Sequence, residues 1–399
     1  MSLGLYLHLP FCATHCTYCP FAISTDLSQQ NEYTDALIRE VAACHPERRV
    51  EGPGWAGARR SSPRTISAPP PARVPRLTLG MTAVVDTLYL GGGTPSRTAL
   101  DNLSRIFDAV RVHFAIDADA EITMEGNPED VTPATVEAWR ALGVNRISLG
   151  VQSFHDAELA AIGRIHDRAR ALDAVRTVVA SGARANLDLI LGLPQQTAES
   201  YRDSLDTAID LGAGHLSLYM LDLDERTPLQ VQVARGRVAL PEEDMVADLY
   251  LETVERLAAA GLQQYEISNF ARPGEESRHN LRYWQRDEYL GLGLGAHSFV
   301  GAQRYANTRD IRKYIELAPD ARDFEETLGE DEVRRETIFL QLRQTRGMCY
   351  EDLVALCGQE GIEWLERGLQ GGWLQQRDGR VAFTATGFLQ SNDFMSQLF

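Results

Sequence analysis

Three of the six cysteines in this 399-residue chain fall within eight positions, at Cys12, Cys16 and Cys19, while Cys44, Cys349 and Cys357 are scattered. A secreted disulfide framework spaces its cysteines more widely. Three thiolates on one compact loop can instead converge on a small inorganic object. A closed zinc site takes four protein ligands. His15 could supply the fourth, but it lies between two of the candidate ligands and would strain the loop. A [4Fe-4S] cluster held by three thiolates leaves one iron free, and a substrate or cofactor can chelate there. Three buried cysteines without chemistry are the remaining alternative.

Other residues able to bind or react gather at the ends of apolar runs. Gly91-Gly92-Gly93-Thr94-Pro95 follows one such run directly, and side-chain-free positions let backbone approach a ligand closely. Glu125-Gly126-Asn127-Pro128 ends the next. Arg146-x-Ser148-x-Gly150-x-Gln152-Ser153, Gly163-Arg164-x-His166 and Asn186-x-Asp188 with Gly192-x-Pro194 come after it. Further on stand Tyr265 to Phe270, then His279-Asn280-x-Arg282-Tyr283-Trp284. The alternating glycines Gly291, Gly293 and Gly295 follow and allow close backbone packing. His8 reads equally well as a core histidine beside the first strand or as part of a site.

C-x3-C-x2-C with Tyr18 before the last cysteine resembles the radical S-adenosylmethionine (SAM) signature. Tyr6-x-His8-x-Pro10-Phe11-Cys12 narrows the resemblance to the oxygen-independent coproporphyrinogen oxidase-like group. The true oxidases carry another cysteine two residues after the third, where this chain has Phe21, and a longer extension before the first. Both departures point to the heme-chaperone branch. Pro20 stands where many relatives have Asp, a local variation of the loop.

The resemblance spans 3–44 and 82–395 and implies roles residue by residue. Cys12, Cys16 and Cys19 would hold a [4Fe-4S] cluster. Tyr6, Tyr18, Gly92, Gly93, Thr94, Glu125, Gln152, Arg164 and Asp188 would contact SAM. Of these, the glycine segment would meet the amino group, Arg164 the carboxylate, and Gln152 and Asp188 the ribose. Heme would be the third group bound, with His279 as its ligand and aromatic neighbours stacking on the macrocycle. Implied partners are heme, acceptor hemoproteins such as respiratory enzymes, and an electron donor such as flavodoxin or ferredoxin. Peripheral membrane contact during transfer and a homodimer are also expected; nucleic acid is not. The alternative activity is oxidative decarboxylation of coproporphyrinogen III, and a weaker one is anaerobic opening of the heme ring.

The elements that must position these residues follow from periodicity. Helical spacing covers 29–44. Alternating strands and helices follow at 84–90, 99–110, 120–124, 133–142, 145–150, 169–181, 185–191, 197–211, 215–221 and 242–260. With the first strand at 5–9 that makes six β/α units and a parallel sheet covered by helices. The polar features sit at strand C-terminal ends, and no G-x-G-x-x-G follows the first strand. The fold class is therefore α/β, a partial (β/α)6 radical SAM barrel. It occupies 1–235, with a barrel-completing and linking region at 236–324. At 325–399, helices at 331–342, 350–357 and 361–368 precede a hairpin around Asp378-Gly379, which predicts a winged-helix-like domain. The barrel is interrupted at 45–80 by seven prolines and by seven arginines against two glutamates, which reads as a disordered basic insertion. The chain as a whole carries a formal charge of −17, which argues against nonspecific nucleic-acid binding. With no basic, apolar leader at its start, the chain is expected to be cytoplasmic.

Overall fold

Near-continuous apolar runs make strands that are buried on both faces, as a helix-covered parallel sheet requires. In the computed structural model, which describes residues 2–44 and 84–398 (without the side chains of 359 and 360), those runs alternate with amphipathic helices. They are β1 (Ser2–Leu9), α1 (Gln30–Ala43), β2 (Val84–Gly92), α2 (Leu100–His113), β3 (Ala115–Gly126), α3 (Pro133–Ala141) and β4 (Arg146–Gln152). Then come α4 (Asp156–Ala161), α5 (Arg168–Ser181), β5 (Arg184–Leu191), α6 (Ala198–Asp210), β6 (His215–Met220), α7 (Pro228–Ala234) and α8 (Glu243–Ala259). The basic insertion expected at 45–80 lies outside the described residues.

Strands β1 to β6 lie side by side in sequence order, all parallel. The helix ends carry their own stop and start signals. Thr132 and Thr197 form capping boxes at α3 and α6. Asp167 caps α5, which stops at Gly182 in the left-handed conformation, φ 77°. Leu5, Leu7, Leu90, Met124, Ile147, Leu187 and Leu216 lie in the resulting core.

The sheet extends beyond the six units at both edges. On one side, β8 (Asn269–Ala271) adds antiparallel to β6, and β7 (Gln263–Gln264) adds antiparallel to β8. After α9 (Arg278–Gln285), β9 (Tyr289–Leu292) adds parallel to β1. Then β10 (His297–Val300), β11 (Gln303–Asn307) and, after α10 (Ile311–Leu317), β12 (Arg322–Thr327) continue antiparallel, giving twelve strands among the described residues. The alternating glycines belong to this extension. A Cβ on Gly291 would lie 2.0 Å from the His297 carbonyl oxygen, so β9 and β10 can cross only with glycine there.

Strand β12 runs across the 324/325 boundary expected from sequence and ends at Thr327. Beyond it lie α11 (Glu330–Gln341), β13 (Met348–Cys349) and α12 (Tyr350–Gln370), which breaks at Gly358 into the two expected helices. Strands β14 (Leu374–Arg377) and β15 (Arg380–Phe383) form the expected hairpin, and β13 adds a third strand to it. Short helices α13 (Ala385–Leu389) and α14 (Ser391–Ser396) end the chain. Trp364 stacks on Phe394 at 4.5 Å and donates its indole N–H to the Phe394 carbonyl, within the same continuous hydrophobic cluster as the barrel core. Among the described residues no helix is long and apolar enough to cross a membrane.

Candidate cluster and cofactor site

Strand β1 delivers the chain into the cysteine loop, whose base is closed by backbone bonds. Ser24 donates to the Pro10 carbonyl at 2.8 Å and Cys12 to the Ser24 carbonyl at 3.0 Å. His8 clasps the same base: its Nε2 meets the Ala22 carbonyl at 2.9 Å and its Nδ1 faces the Tyr6 hydroxyl at 3.3 Å. Burial lowers the His8 pKa to about 4, so it is a neutral structural clasp. Gly92 and Gly93 face this entry segment. A Cβ on Gly92 would lie 2.4 Å from His8 Nδ1, and one on Gly93 would lie 2.4 Å from the Pro10 carbonyl carbon. The glycine run therefore admits the cysteine loop as well as any ligand. Gly93 N–H bonds Leu9 and Thr94 N–H bonds Phe11, both at 3.0 Å, and the Thr94 hydroxyl donates to the Cys12 sulfur at 3.3 Å.

One cavity of about 460 Å³ gathers most of the expected residues. Cys12, Cys16, Tyr18, Cys19, Gly92, Gly93, Thr94, Glu125, Gln152, Arg164 and Asp188 all line it. They arrive from the C-terminal ends of β1 to β5 and the loop after α4. Gln152 ends β4 with φ 67°, a left-handed conformation that ends the strand at the cavity wall. Arg164 donates to Asn127 Oδ1 at 2.7 Å and also to the Gly150 carbonyl, and it reaches the Cys16 sulfur at 3.8 Å. Asn127 donates in turn to the Thr94 hydroxyl at 3.3 Å. Asn127 was visible in the sequence only as part of a strand-end motif; its place in the site comes from the fold.

Burial dominates the electrostatics. It pushes Glu125 up to about 7, with the charge of Asp188 adding to the shift. The Tyr89 hydroxyl at 2.8 Å and the Gly92 N–H at 3.1 Å hold the shift back. Asp188 is pushed up to about 6, opposed by hydrogen bonds from Ser217, Ser148 and Asn186. The Cys12 thiol is raised to about 11, and burial raises Cys19 as well.

Two expected residues lie elsewhere. Tyr6 is absent from the cavity lining; its ring stacks on Tyr89 and His279, at 6.1 and 6.5 Å. His279 sits on α9, buried against β2. Its Nδ1 bonds the Thr87 hydroxyl at 2.9 Å and its Nε2 bonds the Tyr283 hydroxyl at 2.8 Å. Burial lowers its pKa to about 3. Both ring nitrogens are engaged and the ring is enclosed among these partners.

The Radical SAM superfamily model matches residues 6–208. The heme chaperone HemW of Mycobacterium tuberculosis is 36% identical over 391 residues, covering 97% of this chain and 92% of that protein. The chain belongs to the HemW family of radical SAM proteins. HemW of Bacillus subtilis is 32% identical, covering 86% of this chain and 84% of that one. The structure of coproporphyrinogen III oxidase (HemN) from Escherichia coli matches with a TM-score of 0.79 at 24% identity. It covers 100% of this chain and 90% of that one, a likeness of fold.

The superfamily binds a [4Fe-4S] cluster and SAM, and the residues of this HemW-family chain fit both. Thiols raised by burial stay protonated until a positive centre stabilises their thiolates, and an iron cluster supplies that centre. Glu125 and Asp188 are desolvated acids, suited to an ammonium group and to ribose hydroxyls. Cys12, Cys16 and Cys19 would hold the cluster. Glu125, Gln152, Arg164 and Asp188 would orient SAM through its charged and hydroxyl groups. When bound, the pair supplies a one-electron reductant beside a cleavable sulfonium. The chain itself walls the site and sets its charges.

A pH dependence follows. A cationic ligand group beside Glu125 favours its ionised form, so binding below pH 7 must expel a proton. SAM affinity of the cluster-loaded protein should be flat above pH 7 and fall by up to about tenfold per unit below it. Isothermal titration across pH 5.5–8.5 checks this. Glu125→Gln should weaken binding and flatten the profile; an unchanged slope would remove Glu125 from the contact.

Proposed function

We propose that the chain is a heme chaperone: it binds heme and passes it to acceptor hemoproteins such as respiratory enzymes. A [4Fe-4S] cluster and SAM serve the process. Full-length similarity to HemW, 36% over 97% of the chain, carries the reading. Phe21 supports it, since the decarboxylating oxidases have a cysteine at that position. An electron donor such as flavodoxin or ferredoxin belongs to the same reading, because a cluster that gives up electrons must be recharged. Peripheral membrane contact during transfer and dimerisation are finer parts of the proposal. An anaerobic assay on one reconstituted sample tests it, with heme binding near one per chain and no carbon dioxide released from coproporphyrinogen III.

A further inference from the structure

Beneath the cavity floor, the barrel interior carries polar side chains in two rows. Ser148, Asn186 and His215 are register partners across β4, β5 and β6. Asp188 and Ser217 form the next row, nearer the strand C-terminal ends. Residues two apart on a strand share a face, so the two rows stack inside the barrel. Asp188 and Ser148 line the cavity; Asn186 and His215 are buried and absent from its lining. A ligand contact therefore explains Asp188 but leaves a buried histidine one layer below it without a role.

The hydrogen bonds between these rows run in one direction. An ionised carboxylate only accepts, so the Asn186 amide turns its Nδ2 toward Asp188 Oδ1, at 3.1 Å. The same Nδ2 reaches the Ser217 hydroxyl at 3.2 Å and also the Ser148 hydroxyl. Asn186 Oδ1 then faces His215 Nδ1 and needs a donor there. His215 must carry its proton on Nδ1, which leaves Nε2 to accept from the Tyr265 hydroxyl at 2.8 Å. Tyr265 accepts in turn from the backbone N–H of Ser277, the residue that caps α9, at 3.3 Å. Burial holds the His215 pKa well below its ordinary value, so the ring stays neutral in this one tautomer. A backbone N–H can only donate and a carboxylate can only accept, so both ends of the chain fix its sense. Ser148 and Ser217 can rotate their hydroxyls away from Asp188. The Asn186 amide can leave only by flipping, which would set its oxygen against the carboxylate, and the His215 Nδ1–H holds it in place.

We propose that His215 is a positioning residue for SAM: its Nδ1–H locks the Asn186 amide, which holds the Asp188 carboxylate for the ribose hydroxyls. Tyr265 supports it by fixing the tautomer. The proposal rests on the SAM contact of Asp188 and is independent of the heme-chaperone reading.

The test is anaerobic isothermal titration of the cluster-loaded full chain with SAM and with a SAM analogue lacking both ribose hydroxyls. The wild type should prefer SAM. His215→Leu keeps bulk but removes the Nδ1–H, and its SAM affinity should fall about three- to tenfold while its affinity for the analogue stays unchanged. His215→Asn places a side-chain N–H where Nδ1–H stood and should restore most of the preference. A histidine that merely supports the fold would weaken both ligands alike. Tyr265→Phe keeps the ring and loses only the hydroxyl, so it decides the matter if His215→Leu loses its cluster; its preference for SAM should fall in the same direction. An undiminished preference in His215→Leu, or in Tyr265→Phe where the leucine variant holds no cluster, would overturn the proposal. A wild type that binds both ligands equally would overturn the Asp188 contact and the proposal with it, and would leave the chaperone reading standing.

Discussion

Alanine at Cys12, Cys16 or Cys19 should abolish the visible absorbance of the anaerobically reconstituted protein and reduce its iron content to background. The effect is expected to be all-or-none because these three sulfurs would be the chain's whole contribution to the cluster. Each loop end is fixed independently of the metal, by His8 on the Ala22 carbonyl and by Ser24 on the Pro10 carbonyl. The loop should therefore keep its shape when one thiol is lost, and the deficit falls on the cluster and not on the fold. Cys44→Ala provides the contrast. That thiol packs against the core beside Glu40, away from the cavity, and its loss should leave iron content unchanged. Iron retained at wild-type levels in any of the three loop variants would remove that cysteine from the ligand set.

Arg146→Ala should be the most damaging single change to stability. Arg146 and Glu121 are 1% and 0% exposed and pair at 3.1 Å, across β4 and β3. The guanidinium also donates to the Glu275 and Glu276 carbonyls at 2.6 and 3.0 Å. Glu121 accepts from the backbone N–H of Arg278 and His279 at the start of α9. Removing the arginine leaves a buried carboxylate without its main partner, a loss of about 3–5 kcal/mol. Arg184, 3.8 Å from Glu121 and 42% exposed, is too solvated to replace it. Urea unfolding measures the effect, and an Arg146→Met/Glu121→Gln double variant should recover part of the loss because no buried charge is stranded. A shift below about 1 kcal/mol for Arg146→Ala would show that the pair holds neither β4 nor α9 in place.

Much of the site was legible in the sequence, because a parallel β/α sheet brings its strand C-terminal ends to one edge. Apolar runs located β1 to β6, and the residues closing those runs met at one cavity. The short strands β7 to β12 were not legible. Two to six residues each, paired with one another or, for β8 and β9, with the distant β6 and β1, leave too little periodicity to read. The alternating glycines read as close backbone packing, but only the fold shows that the His297 carbonyl is what requires Gly291. His8 was ambiguous for a related reason. A histidine at a strand end looks alike whether it clasps a carbonyl or touches a ligand, and only Ala22 decides. His279 is ambiguous in the same way, because its motif is helical. The i, i+4 spacing puts His279 and Tyr283 on one face, and sequence does not say whether that face meets a ligand or β2. Here Thr87 and Tyr283 take both ring nitrogens.

The central claim, heme handling in place of decarboxylation, is tested most directly by one anaerobic measurement. A single cluster-reconstituted sample with SAM and reductant is titrated with heme and, in parallel, incubated with coproporphyrinogen III. The chaperone account predicts saturable binding of about one heme per chain and neither carbon dioxide nor protoporphyrinogen. Protoporphyrinogen formation that depends on SAM, in a sample that fails to retain heme, would contradict it.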